Sequence, residues 1–258
     1  MTPRRAFLFA CTALFLLACA PLTAREPDLP WSNAQQIVLV TTPDWNSSHG
    51  ELRTFSRSEH GWQAEGHAIP VVIGRSGAAW GIGLHPAQPG RAKQEGDGRS
   101  AAGVFTIGTA FGYAPSATTA MPYAALTVDD YCVDVSGSPL YNRIVDKGKV
   151  GAAAVAGSTE PMRRDLHADG DQAYKIGFVI ENNPLGTAGA GSCIFAHLWK
   201  SPDSSTAGCT AMTEDAMRKL LAWLKPEDHP VFVLLPNDEY LRLRKAWDLP
   251  ATSATRSP

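Results

Sequence analysis

No Cys-x-x-Cys pair, no His-x-His pair and no His-x-x-x-His pair occurs in these 258 residues. The seven histidines are scattered, at positions 49, 60, 67, 85, 167, 197 and 229. A structural or catalytic zinc site needs clustered imidazole or thiolate ligands, so no metal is expected. There is no Walker loop and no Gly-x-Ser-x-Gly elbow, which removes two common routes to phosphate binding and serine catalysis. Lys and Arg together number 23 against 25 acidic residues. With no basic stripe, a nucleic-acid partner is not expected. The longest apolar run, Ala6 to Ala20, is 15 residues, too short for a membrane-spanning helix. No internal repeat is visible.

What is present begins with an export signal. Arg4 and Arg5 precede the apolar run, and Leu22-Thr23-Ala24 offers a signal-peptidase site. A rival exit is Leu16-Leu17-Ala18-Cys19, a lipobox-like sequence that would carry a lipid anchor on Cys19. Either route exports the chain to the periplasm or cell envelope. Removing residues 1–24 takes away two arginines and no acids, so the formal charge of −2 becomes −4. Of the five cysteines, Cys132, Cys193 and Cys209 remain. In an oxidising compartment three cysteines allow one disulfide and one spare thiol.

Residues 25–36 read as a polar tether and 250–258 as a disordered tail, leaving 37–249 as one domain. Within it, Ile37 to Thr41 is a compact β-branched strand. Further strands are expected at 51–57, 61–67, 68–74, 103–108, 123–134, 173–180, 191–199 and 229–235. Two helices read clearly. Thr213 caps one from Glu214 to Leu224, with Met217, Leu220, Leu221 and Leu224 as its apolar stripe. Asn237 caps a shorter one through Ala246. The segment 141–157 has no clear assignment, and 162–171 reads as charged surface. The fold class is mainly β with a few peripheral helices, not an alternating α/β fold.

The chemistry concentrates in Gly191 to Met212. Strand alternation places Cys193, Phe195, His197 and Trp199 on one face. Cys209 follows His197 by twelve residues (209 − 197 = 12) in the small-residue turn Thr206-Ala207-Gly208-Cys209, just ahead of a helix start. A thiol near an imidazolium and a helix N-terminus has a lowered pKa and becomes a nucleophile near neutral pH. The amides of Gly208 and Cys209 are candidates for an oxyanion hole. Cys193 is either bonded to Cys132 or a buried free thiol, and the free thiol is the reading preferred on sequence.

These residues resemble the L,D-transpeptidase catalytic domain of YkuD type. The shared pattern is a strand histidine, here His197, followed by Ser/Thr-x-Gly-Cys, here Thr206 to Cys209. Gly191-Ser192-x-Ile194-Phe195-x-His197 resembles one branch of that family. Lys93-x-Glu95-Gly96-Asp97-Gly98 followed by Ala102-Gly103-Val104-Phe105 resembles its glycine-rich segment, usually with Pro at the place of Ala102. The resemblance implies a β-sandwich or open barrel with a Cys–His pair at one edge. It implies a thioester acyl-enzyme on Cys209, with His197 as base and acid and the Leu198 carbonyl orienting the imidazole. The substrate class it implies is peptidoglycan stem peptides, without metal or cofactor. An amine acceptor would give transpeptidation, and water would give carboxypeptidase or amidase action. A third reading is a catalytically silent wall-binding domain on the same fold. The chain departs from the family at Ala207 and Ala211, where many members carry His and Arg that grip the substrate. Lys93, Arg99 and Tyr174 are the candidate replacements, with Thr206 beside them as a further substrate-binding residue.

Overall fold

The computed structural model describes residues 29–252. The leader, the Cys19 site and the last six residues lie outside them. The strands, in chain order, are β1 (Gln36–Thr42), β2 (His49–Ser58), β3 (Gly61–Val72), β4 (Ala78–Trp80) and β5 (Ser100–Gly112). There follow β6 (Tyr123–Ala125), β7 (Asp130–Cys132), β8 (Ile144–Asp146) and β9 (Glu160–Pro161). The last four are β10 (Ile176–Ile180), β11 (Phe195–Leu198), β12 (Thr210–Met212) and β13 (Val231–Pro236). Four α-helices stand among the described residues: α1 (Lys147–Val150), α2 (Arg164–His167), α3 (Glu214–Trp223) and α4 (Asn237–Leu243).

Eight strands run in the order β10-β11-β12-β3-β2-β1-β13-β5, and β5 then pairs back with β10. The barrel is therefore closed, where the resemblance implied a sandwich or an open barrel. Closure leaves no unpaired edge on the barrel. Pairing is mostly antiparallel, but β1 and β13 run parallel, as do β11 and β12. An eight-stranded barrel has an interior that side chains just fill. Here Ile37, Leu39, Phe55, Val104, Phe178 and Met212 belong to that core, all nearly inaccessible.

Strand β1 is buried on both faces because α4 packs near it and β13. That explains its continuous apolar run, where a half-solvated strand would alternate. Helix α3 forms as its sequence predicts. Thr213 Oγ1 accepts from the Ala216 amide at 3.2 Å, and Ala216, Met217, Leu220 and Leu221 are buried. Helix α4 starts one residue differently from expectation, with Pro236 at the cap and Asn237 inside.

Three expectations need correction. Residues 29–36 are no tether: Trp31 is buried and its Nε1 donates to the Trp247 carbonyl at 3.0 Å. Residues 250–252 are packed as well, with Tyr240 Oη donating to the Pro250 carbonyl at 2.5 Å and accepting from the Thr252 amide at 3.0 Å. The two strands expected at 61–67 and 68–74 are one, β3. Its partner β2 stays paired with it through a register shift between Leu52 and Thr54, an irregularity of the β-bulge kind.

A second, smaller cluster lies outside the barrel core. Phe111, Leu126, Cys132, Met162, Tyr174, Cys193, Phe195 and Cys209 pack together. A three-stranded sheet, β8-β7-β9, contributes Cys132 to it. The Cys132–Cys193 disulfide, with an S–S distance of 2.02 Å, joins this sheet to the segment before β11.

Candidate active site

Strand β11 is only four residues long, shorter than the Gly191–Trp199 run expected. Gly191 has φ +87° and Cys193 φ +55°, backbone that cannot continue a strand. Over the residues that do form strand, alternation holds. Ala196 and Leu198 join the barrel core, while Phe195 joins the outer cluster and His197 lies on its side of the strand. Cys193 is disulfide-bonded, which corrects the preferred reading of a free thiol, and Cys209 is the free cysteine among the described residues.

His197 and Cys209 line one cavity of about 280 Å³, together with Glu160, Arg164, Asp171 and Tyr174. Each is nearly covered, at 9% and 8% exposure. A roomier cavity of about 550 Å³ lies between β7–β8 and the barrel wall, but its one sulfur, Cys132, is held in the disulfide.

His197 Nδ1 lies 2.8 Å from the Leu198 carbonyl oxygen. A carbonyl only accepts, so the bond places the proton on Nδ1 and leaves Nε2 as the basic nitrogen. Tyr174 sets its ring edge against the imidazole, with centroids 5.3 Å apart and an angle of 85°. Burial drives the imidazole toward its neutral form and lowers its pKa to about 4, against a smaller opposing pull from the Leu198 carbonyl.

The register pairs His197 with Ala211 on parallel β12. Cys209 therefore sits two residues back, level with Phe195. Its Sγ accepts from the Phe195 amide at 3.3 Å and donates to the Cys193 carbonyl at 3.4 Å. The thiol thus rests on backbone groups of the strand approach, and not on the imidazole. Strand β12 also stands between Cys209 and helix α3, so the helix N-terminus is not at the sulfur. Burial, followed by the charge of Glu160, raises the thiol to about 12. This overturns the expected thiolate near neutral pH: both groups rest neutral.

The Thr206–Cys209 turn is tightly fixed. Thr206 Oγ1 donates to the Cys209 carbonyl at 2.7 Å and accepts from the Gly208 amide at 3.1 Å. The Thr206 backbone bonds to Ile73 and Arg75. Gly208 sits in a tight place, since a Cβ there would meet the Arg99 carbonyl at 3.0 Å and press on it. Its amide donates to Thr206 Oγ1 and is not free for the oxyanion role expected of Gly208.

Two expected substrate residues are placed elsewhere. Arg99 staples a loop to β4, through Nη1 to the Trp45 and Ala78 carbonyls at 2.9 and 3.0 Å and Nη2 to Asn46 Oδ1 at 3.0 Å. Lys93 is buried, with Nζ 2.5 Å from Asp97 Oδ1 and 2.8 Å from the Gln94 carbonyl. Neither lines the cavity, although the Lys93 charge favours the Cys209 thiolate from behind the wall. Tyr174 and Thr206 do line it.

The sequence reading missed Glu160, Arg164 and Asp171. Arg164 Nη1 lies 2.9 Å from Glu160 Oε1, and its Nε 3.0 Å from Asp171 Oδ2. Tyr174 Oη donates to the same Glu160 oxygen at 2.7 Å. Glu160 precedes Arg164 by four residues, but it lies on β9 and outside α2, so no helical spacing signals the pair. The segment 162–171 reads as charged surface and Glu160 falls just before it, because nothing local shows that the disulfide and β9 hold this part of the chain against the barrel. No group of three or more metal-ligating side chains stands among the described residues. No protein-family model, curated protein or solved structure matches the chain.

Proposed function

We propose that this protein is an exported cysteine acyltransferase of the L,D-transpeptidase type, acting on peptidoglycan stem peptides in the periplasm or cell envelope. One observation carries the reading. A free cysteine and a histidine with its Nδ1 proton held by the next carbonyl share one cavity, which is the equipment of base-assisted thiol attack.

The chemistry proceeds in two halves. The Cys209 thiol turns from the Cys193 carbonyl toward His197 Nε2 and gives up its proton. Sulfur bonds to the carbonyl carbon of the L-centre residue, and the Cys209 amide donates to the resulting oxyanion. Collapse breaks the C–N bond, and imidazolium returns the proton to the departing D-amino acid amine. An acceptor amine then attacks the thioester, losing its proton to Nε2, and Sγ leaves as the thiol. With water as acceptor the same steps give hydrolysis.

The test is release of the terminal D-amino acid from a purified stem tetrapeptide. Wild type releases it, and Cys209→Ala lowers the rate by more than about 1000-fold. Equal release by both proteins refutes the reading.

A silent wall-binding domain is the second reading, and it has its own support: the resting thiol is bonded to backbone and raised to about 12. Binding to isolated sacculi that survives Cys209→Ala, with no turnover by wild type, decides for it.

A further inference from the structure

We propose that Glu160 binds the amine-bearing part of the substrate in the Cys209–His197 cavity, and that the bound ammonium offsets the carboxylate's charge at the thiol. The proposal rests on the acyltransferase reading above and adds which substrate group the cavity selects.

The geometry is specific. Glu160 lies on β9, opposite Cys132 of β7, so the disulfide pins its strand beside the nucleophile's own cluster. Both of its protein donors, Tyr174 Oη and Arg164 Nη1, converge on Oε1. Among the described residues none reaches Oε2, while the side chain is about 20% exposed and lines the cavity. A carboxylate oxygen without a donor on a cavity wall suits an ammonium, which carries three donors and no acceptor. Arg164 does not neutralise the cluster, because its guanidinium is shared with Asp171. Lys200 at the cavity lining balances the formal charge.

The same carboxylate acts on the nucleophile. After burial, Glu160 is the foremost influence holding Cys209 protonated, against Lys93 and Arg164, which favour the thiolate. Glu160 itself is pushed up by burial and by Asp134, and held down by Tyr174 and Arg164. An ammonium seated on Oε2 offsets the Glu160 part of the field at Cys209 while burial still acts, so the thiol ionises more readily when the correct substrate is present. Binding and activation become one event, and the empty enzyme keeps a quiet thiol.

The test compares wild type with Glu160→Gln, which keeps Oε1 as an acceptor, after thermal melts establish that both are folded. First, Cys209 alkylation by iodoacetamide is timed at pH 7.5, alone and with methylammonium. The expected result is several-fold faster alkylation in Glu160→Gln, and acceleration by methylammonium in wild type only. Second, tetrapeptides with a free side-chain amine are compared with their N-acetylated forms as acyl donors, and free with acetylated amines as acceptors. Wild type is expected to favour the free amine about tenfold or more in one of these arms, in kcat/KM, and Glu160→Gln to lose that preference. The arm that shows the preference identifies donor or acceptor as the source of the amine. Unchanged alkylation in Glu160→Gln, or an undiminished preference for the free amine, overturns the proposal. Absence of turnover with every peptide strikes the acyltransferase reading instead, and the alkylation arm still judges Glu160.

Discussion

At the scale of single residues, the site is a pair of neutral groups held apart by register. His197 pairs with Ala211 while Cys209 lies level with Phe195, so the sulfur finds a backbone amide and a carbonyl first. The sequence motif made His197 and Cys209 legible, and it made the Leu198 carbonyl legible as the orienting group. It did not show their protonation. A thiol's pKa follows from what surrounds it in three dimensions, and here burial in an aromatic cluster outweighs any nearby positive charge. The consequence is measurable. In the protein without substrate the alkylation rate of Cys209 should climb steadily from pH 7 through pH 10, since the thiolate fraction grows tenfold per unit below a pKa of about 12. A plateau near neutral pH would reveal a thiolate–imidazolium pair and contradict the geometry.

At the scale of elements, the disulfide is the part that the sequence left open and that matters most. Cys132 and Cys193 are 61 residues apart, and no local pattern shows that β7 comes to rest beside the approach to β11. Strands β1, β5 and β13 were readable because each carries a β-branched or glycine-framed apolar run. Strand β9 has two residues and no such signature, so Glu160, just ahead of the charged 162–171 segment, stayed hidden. Closing a loop of that length stabilises a fold by about 4 kcal/mol in the chain-entropy model. Replacing both cysteines, Cys132→Ser with Cys193→Ser, should therefore lower stability by a few kcal/mol in denaturant titration. It should also disturb the cavity, because β9 and the Cys193 carbonyl lose their tether. The expected sign is faster alkylation of Cys209 in the double variant, and an unchanged rate would show that the tether does not set the thiol's environment.

At the scale of the whole molecule, a closed barrel supplies a stiff wall, and Glu160 of the small β8-β7-β9 sheet, Arg164 of α2 and the segment around Asp171 and Tyr174 supply the other side of the cavity. Closure was not legible, since the β5–β10 pairing joins strands far apart in sequence through a register shift. The mainly β class was legible from the spacing of short apolar runs. Buried histidines give the fold an acid-side weakness. Folded His197 resists protonation down to about pH 4, while the unfolded chain takes the proton up near 6.5. Its contribution is therefore intact above pH 6.5 and is lost as pH falls toward 4, by on the order of 3 kcal/mol. His85, also lowered by burial, adds in the same direction. Unfolding titrations at pH 7 and pH 5 should show wild type losing more stability than His197→Gln, and equal losses would contradict the assignment.

In the proposed reaction Cys209 forms a covalent acyl-enzyme, and intact-protein mass spectrometry reads that bond directly. The domain would be mixed with purified stem tetrapeptide, quenched in acid and weighed beside Cys209→Ala. The expected result is a mass gain on wild type equal to the peptide less its terminal D-amino acid, mapped to Cys209 and absent from the variant. A wild type that stays unmodified while its Cys209 is reduced and alkylatable would contradict it.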